Sequence, residues 1–227
     1  MLWVKICGMT SAEDALVAAD AGADAIGMIF APSKRRVTVE QAREIVQSLP
    51  RTMEKVGVFY DEEPRTIEDI AEQVGLTAVQ LHGDESPEMT RGLFKDGSKL
   101  NRSRMRVFKT LHVNDGLETV AKYFLNEHSV DGFLLDTVAV DPATGQVERG
   151  GTGQTFDWRK MTSSVIALQR QTRIVVAGGL SASNVDSAVR ILQPWGVDVC
   201  TGVELEPGKK NHQKVREFVT AARDAHN

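Results

Sequence analysis

Only two cysteines, Cys7 and Cys200, occur in 227 residues. That is too few for a disulfide scaffold, and neither sits in a His/Cys cluster that would make a structural zinc site, so a reducing compartment fits best. No run approaches the roughly 18 consecutive apolar residues of a membrane span. Lys5 interrupts the first apolar stretch, and Gly8, Ser11, Glu13 and Asp14 follow closely, so no hydrophobic core of a signal peptide can be drawn and a cytoplasmic location is expected. An excess of positive charge is also missing: 27 Lys plus Arg stand against 31 Asp plus Glu, a formal charge of −4. This excludes a broad basic surface for nucleic acid or anionic membrane and leaves any anion site local. Neither an H-E-x-x-H zinc motif nor a nucleotide-binding glycine fingerprint is found, and linkers and low-complexity tracts are lacking.

The composition, 41% hydrophobic and 26% charged, is that of a globular domain. Short runs rich in Val, Ile and Phe recur along the chain, each followed by helical spacing, which predicts repeated βα units. Eight such strands are expected: Trp3 to Cys7, Asp24 to Phe30, Lys55 to Tyr60, Ala78 to His82, Met105 to Thr110, Gly132 to Asp136, Arg173 to Ala177 and Val197 to Thr201. Eight units in fewer than about 250 residues is the count of a closed (β/α)8 TIM barrel, with residues 1–227 forming one α/β domain. A doubly wound open sheet would place a G-x-G-x-x-G after its first strand, whereas this chain has Cys7-Gly8-Met9-Thr10 there.

Ser11 with Asp14, and Thr38 with Gln41, have the spacing of reciprocal helix caps, Gly22 is placed to stop the first helix, and Ser181 or Ser183 is expected to cap the helix after strand seven. Two stretches read as loops. Lys95 to Arg104 precedes a strand and belongs at the bottom of a barrel. Val138 to Gly153, with Pro142 and four glycines, follows strand six and belongs at the top, where barrel active sites are built.

The loops after strands seven and eight, Ala177-Gly178-Gly179-Leu180-Ser181 and Cys200-Thr201-Gly202-Val203-Glu204, occupy the usual phosphate-binding positions of such a barrel. Glycine there lets the backbone approach an anion closely. Side chains alternate along strands, so Lys5 and Cys7 share one face, as do Leu134 and Asp136, and both Cys7 and Asp136 end their strands. A thiol and a carboxylate at one rim can serve as base and acid on a single substrate. The plainer alternatives are a buried small residue for Cys7 and a helix cap for Asp136. Lys34, Arg35 and Arg36 follow strand two on the same rim and are placed either as a solvated face or to hold a substrate carboxylate. Gln80 and His82 point the same way, to brace a loop or to touch substrate.

With these residues in place the chain resembles the phosphoribosylanthranilate isomerase family over almost its full length. The resemblance is carried by Lys5-Ile6-Cys7-Gly8, Gly57-Val58-Phe59, Val79-Gln80-Leu81-His82-Gly83, Leu134-Leu135-Asp136-Thr137, Gly150-Gly151-Thr152-Gly153, Thr155-Phe156-Asp157-Trp158, Ala177-Gly178-Gly179-Leu180, Thr201-Gly202-Val203-Glu204 and Pro207-Gly208-Lys209-Lys210. It implies an Amadori rearrangement of N-(5′-phosphoribosyl)anthranilate in tryptophan biosynthesis, with Cys7 as general base and Asp136 as general acid. It further implies Arg35 or Arg36 on the anthranilate carboxylate, and Gly153, Gly178, Gly179, Thr201 and Gly202 with Gln80 and His82 around the phosphorylated substrate. Neither metal nor cofactor is implied, and the protein is expected as a monomer or homodimer. The chain departs from the common pattern in its shorter loop after strand two, in Cys200-Thr201 where two serines are usual, and in a longer Ala139 to Arg149 segment.

Related phosphate-binding barrels would carry an aspartate or a catalytic lysine in place of Cys7, and a barrel that only binds ligand would need neither Cys7 nor Asp136. In a closed barrel the first and last strands are neighbours and both cysteines end theirs, so mild oxidant is expected to join Cys7 to Cys200 and switch the site off if their Cα atoms come within about 7 Å.

Overall fold

A computed structural model of the chain describes residues 1–94, 98–114, 116–140, 147–149 and 155–226, with 138–140 and 147–149 described by their backbone. Eight parallel strands close into a barrel: β1 (Trp3–Ile6), β2 (Ala25–Ile29), β3 (Glu54–Phe59), β4 (Ala78–Leu81), β5 (Arg106–His112), β6 (Gly132–Asp136), β7 (Arg173–Val176) and β8 (Gly196–Val199). Helices follow each in turn: α1 (Ala12–Asp20), α2 (Val39–Ser48), α3 (Pro64–Val74), α4 (Pro87–Gly92), α5 (Leu117–Asn126), α6 (Trp158–Gln169), α7 (Val185–Leu192) and α8 (His212–His226). Closure is made by β1 on β8, with Trp3 opposite Gly196 and Ile6 opposite Val199.

Strand alternation divides the core in two. Outward residues such as Val4, Ile6, Phe133 and Leu135 pack with the inner faces of the helices. Inward residues Trp3, Ala25, Val56, Ala78, Phe108, Leu134, Val175 and Ala177 fill the barrel. Trp3 stacks on Trp195 at 5.0 Å and on Phe108 at 5.6 Å between ring centroids. Each large side chain fully buried in this way stabilises the fold by about 1.5–3 kcal/mol, so the barrel floor is a rigid support for the layer above it. That next layer is polar and includes Lys5, Gln80, Asp136 and Asp198, all buried.

All eight expected strands form, with changes at their ends. β5 runs two residues further, to His112, and β8 stops at Val199 because Thr201–Val203 turns into a short 3-10 helix. Ser11 caps α1 by accepting from the Asp14 N–H, and Thr38 with Gln41 makes the full reciprocal cap of α2. Gly22 follows α1 with φ +89°. The start of α7 differs from expectation: Asn184, not Ser181 or Ser183, is the capping position. The two serine hydroxyls bond to each other at 2.9 Å, and Asn184 Oδ1 accepts from the Ser181 N–H at 2.8 Å. The Val138 to Gly153 loop also differs, since Val138–Val140 and Val147–Arg149 pair as an antiparallel hairpin. Its β-branched valines favour extended backbone. Residues 95–97 of the expected bottom loop lie outside the described residues. A second hairpin, Glu204–Glu206 with Lys209–Lys210, follows β8.

Candidate active site

A cavity of about 210 Å³ opens at the C-terminal ends of the barrel strands, the end at which barrels of this kind build their sites. Cys7, Arg35, Gln80, His82, Asp136, Gly178, Gly179, Thr201 and Gly202 all line it. Arg36, by contrast, is exposed and lies outside the lining; its backbone bridges to Ile29, which turns consecutive side chains apart. Gly153 lies outside the described residues.

Cys7 sits one residue past β1, its N–H still donating to the Val199 carbonyl at 2.8 Å. Beneath it Lys5 Nζ meets Asp198 Oδ2 at 2.9 Å, both side chains buried. On the neighbouring strand Gly27 is required by space alone, since a Cβ there would lie 2.6 Å from Cys7 Sγ and 3.0 Å from Lys5 Cε. The neighbouring Cys200 thiol lowers the Cys7 thiol to about 7, with burial opposing the shift and the Lys5 ammonium adding to it. Contact with Cys7 and burial push Cys200 well above the ordinary thiol value. Both cysteines are free thiols.

Asp136 ends β6. Burial raises its carboxyl to about 6, against the stabilising Thr137 N–H, which donates to Oδ1 at 2.7 Å. His82 Nε2 stands 3.7 Å from Asp136 Oδ2. Its other ring nitrogen is 3.1 Å from both Gln80 Nε2 and Thr110 Oγ1, and Gln80 Nε2 also donates to Thr110 at 3.2 Å. The site therefore holds a thiol that is easily ionised and a carboxyl that holds its proton unusually well, the opposed environments that separate base from acid.

Arg35 is fixed by Glu204, and its Nη2 also donates to Thr201 Oγ1 at 3.4 Å. The hydrogen bond to Glu204 holds the guanidinium well above its ordinary value. Glycine forms the far wall. Gly178 and Gly179 have φ +79° and +62°, a conformation that L side chains avoid. A Cβ on Gly178 would fall on Thr137 Oγ1, and one on Gly202 would lie 2.0 Å from the Leu180 carbonyl oxygen.

Sequence reasoning did not assign roles to Asp198, Glu204, Lys210 and Thr110. Asp198 was open to discovery, because it alternates with Cys200 along β8 and so faces inward. Glu204 and Lys210 meet only when the second hairpin folds back, Nζ to Oε1 at 3.0 Å. Among the described residues no three His, Cys, Asp or Glu side chains gather as a metal site, and no helix is long and apolar enough to cross a membrane.

A family model described as N-(5′phosphoribosyl)anthranilate (PRA) isomerase matches residues 4–221. The N-(5′-phosphoribosyl)anthranilate isomerase of Pelobacter propionicus is 42% identical over 227 residues, covering 99% of this chain and 97% of that protein. The phosphoribosyl anthranilate isomerase structure from Thermotoga maritima superposes with TM-score 0.81 at 40% identity, covering 99% of this chain and 100% of that one. A phosphoribosyl anthranilate isomerase in complex with reduced 1-(o-carboxyphenylamino)-1-deoxyribulose 5-phosphate superposes with TM-score 0.79 at 38% identity and the same coverage.

Proposed function

Because the chain belongs to the N-(5′-phosphoribosyl)anthranilate isomerase family, we propose that Cys7 and Asp136 divide the acid–base work of the family's reaction between them. The activity is isomerisation of N-(5′-phosphoribosyl)anthranilate to 1-(2-carboxyphenylamino)-1-deoxyribulose 5-phosphate, a step of tryptophan biosynthesis. Protonated Asp136 donates to the ribose ring oxygen as the C1′–O bond breaks, and the nitrogen lone pair forms the Schiff base. The Cys7 thiolate then removes the C2′ proton, and the electrons move to give an enolamine, which tautomerises to the aminoketone. One carbon is oxidised as its neighbour is reduced, so the sum is an isomerisation.

One observation carries this reading: Cys7 and Asp136 line one cavity with their acidities drawn to opposite sides of their ordinary values. Gly178, Gly179, Thr201 and Gly202 present backbone to the phosphate, in the loops where such barrels bind it. Arg35 takes the anthranilate carboxylate with the guanidinium edge that Glu204 leaves open, and Gln80 and His82 flank the ribose. A phosphorylated small molecule is thus the partner of a single barrel domain spanning 1–227, in a cytoplasmic setting suited to biosynthesis.

The test is turnover, followed by loss of substrate fluorescence, in wild type, Cys7→Ala and Asp136→Asn. Each change is expected to lower kcat by about a hundredfold or more; near-wild-type turnover in either variant would remove that residue from the mechanism.

A further inference from the structure

We propose that the buried pair Lys109–Glu85, outside the barrel wall, is a positioning pair for His82 and acts on catalysis through it. The inference rests on the reading that His82 flanks the ribose. Lys109 lies on β5 opposite Leu81 of β4 and Phe133 of β6, two outward residues of the apolar layer against the helices. Its side chain therefore points away from the cavity, and its Nζ meets Glu85 Oε2 at 3.1 Å with only 4% and 1% of the two side chains exposed. Stability alone does not explain an ion pair so placed, since apolar residues of similar volume often serve as well or better.

What apolar residues cannot do is hold backbone. Lys109 Nζ donates to the Gly83 carbonyl at 2.7 Å and to the Thr110 carbonyl at 2.9 Å, so with Glu85 all three ammonium hydrogens are used. Glu85 Oε1 accepts from the Gly83 N–H and from the Asp61 N–H, each at 3.0 Å. Both backbone polar groups of Gly83 are thus held, and the chain leaving β3, the chain leaving β4 and the end of β5 are tied at one point, just beyond the last β4–β5 pair, Leu81 with Lys109. Glycine is what lets these loops come so close, because a Cβ on Gly83 would lie 2.3 Å from Asp61 Oδ1.

His82 stands between the tied points. Its N–H donates to the Phe59 carbonyl at 2.8 Å, the next residue is Gly83, and its Nδ1 lies 3.1 Å from Thr110 Oγ1, on the residue whose carbonyl Lys109 holds. Its Nε2 is the nitrogen 3.7 Å from Asp136 Oδ2. A shift of Gly83 or Thr110 moves that nitrogen relative to the acid, and a misplacement of about 1 Å in an active site can cost on the order of a hundredfold in rate.

Lys109→Met combined with Glu85→Gln removes both charges together, so neither is left buried alone. Steady-state kinetics is measured in wild type, in this paired variant, in His82→Ala and in all three changes combined. The paired variant is expected to lower kcat by about tenfold or more with KM within a few-fold of wild type, because the loops assigned to phosphate follow β7 and β8, across the barrel from β4. Once His82 is absent the same two changes should lower kcat by less than about twofold. Equal fold losses with and without His82 would overturn the proposal, since a merely structural pair costs the same in both, and so would wild-type kcat in the paired variant or a loss confined to KM. If the paired variant does not fold, Glu85→Asp, which keeps the charge but shortens the reach to the two N–H groups, carries the same cycle with the same expectation. Wild-type turnover in His82→Ala overturns the proposal through its premise, and that single variant distinguishes this failure from a failure of the tie.

Discussion

Arg35 is clasped edge-on by Glu204, Nε to Oε1 at 2.8 Å and Nη2 to Oε2 at 2.7 Å. A guanidinium has five N–H donors, so this fork aims the side chain while leaving donors for a second carboxylate. Burial opposes the charge on Glu204, yet Arg35 and Lys210 hold it below the usual carboxylate value, which keeps the clasp ionised throughout the working pH range.

Arg35→Met is expected to raise KM by about tenfold or more, the loss of a charge-assisted hydrogen bond, with a smaller effect on kcat. Glu204→Gln should raise KM less, because the guanidinium remains but is no longer aimed. Steady-state kinetics on both variants checks this order; a Glu204→Gln defect larger than that of Arg35→Met would contradict it.

The pH dependence carries a further expectation. The base must be ionised, a fraction that grows through about 7, and the acid must be protonated, a fraction that falls through about 6. The acid's value lies below the base's, which makes the productive form a minority. At the midpoint, pH about 6.5, roughly a quarter of each group is in the required state, hence roughly one molecule in sixteen is productive. A bell with its maximum between 6 and 7 is expected in free-enzyme kcat/KM profiles, in contrast to a broad plateau from 5 to 9.

Asp136 binds its proton more tightly in the folded chain, at about 6, than at its ordinary 3.8. Between those values the native state holds the extra proton, so stability falls as pH rises. Asp136→Asn keeps an acceptor for the Thr137 N–H and removes the buried charge. At pH 8 it should stabilise the protein by about 1–3 kcal/mol, and the gain should vanish below pH 4. Urea unfolding at the two pH values measures it; a destabilised variant at pH 8 would refute it.

At Gly202 the constraint is space. A methyl there would press on the Leu180 carbonyl at 2.0 Å and on Ser181 Cα at 3.2 Å, forcing apart the two loops assigned to phosphate. Gly202→Ala should raise KM by about tenfold or more with kcat within a few-fold of wild type, and inorganic phosphate should lose its power to inhibit competitively.

The eight strands were legible because strands buried on both faces read as continuous apolar runs, and the rim positions of Cys7 and Asp136 followed from alternation alone. Contacts made between distant loops were not legible. Glu204 and Arg35 are 169 residues apart, and nothing local in either segment signals the other. Choosing between Arg35 and Arg36 needed the backbone bridge at Arg36, and the start of α7 fell at Asn184 because the two serine hydroxyls bond to each other. The surroundings of Cys200 were half legible: strand adjacency places it beside Cys7, but its bond to Glu204 and its approach to Lys210 depend on a hairpin that nothing near Cys200 announces.

The seam between β1 and β8 places Cys7, the proposed base, at the end of the first strand and Cys200 at the end of the last. Nothing resembling the working site can therefore exist while the chain is partly folded or partly made. Residues near position 7 must wait for those near 200, the longest closure between two strands of the barrel and of the slowest class of contact to form. Catalytic activity in this protein is thus a clock for the end of folding: in a refolding experiment it should return last, after helical signal and tryptophan burial have already recovered.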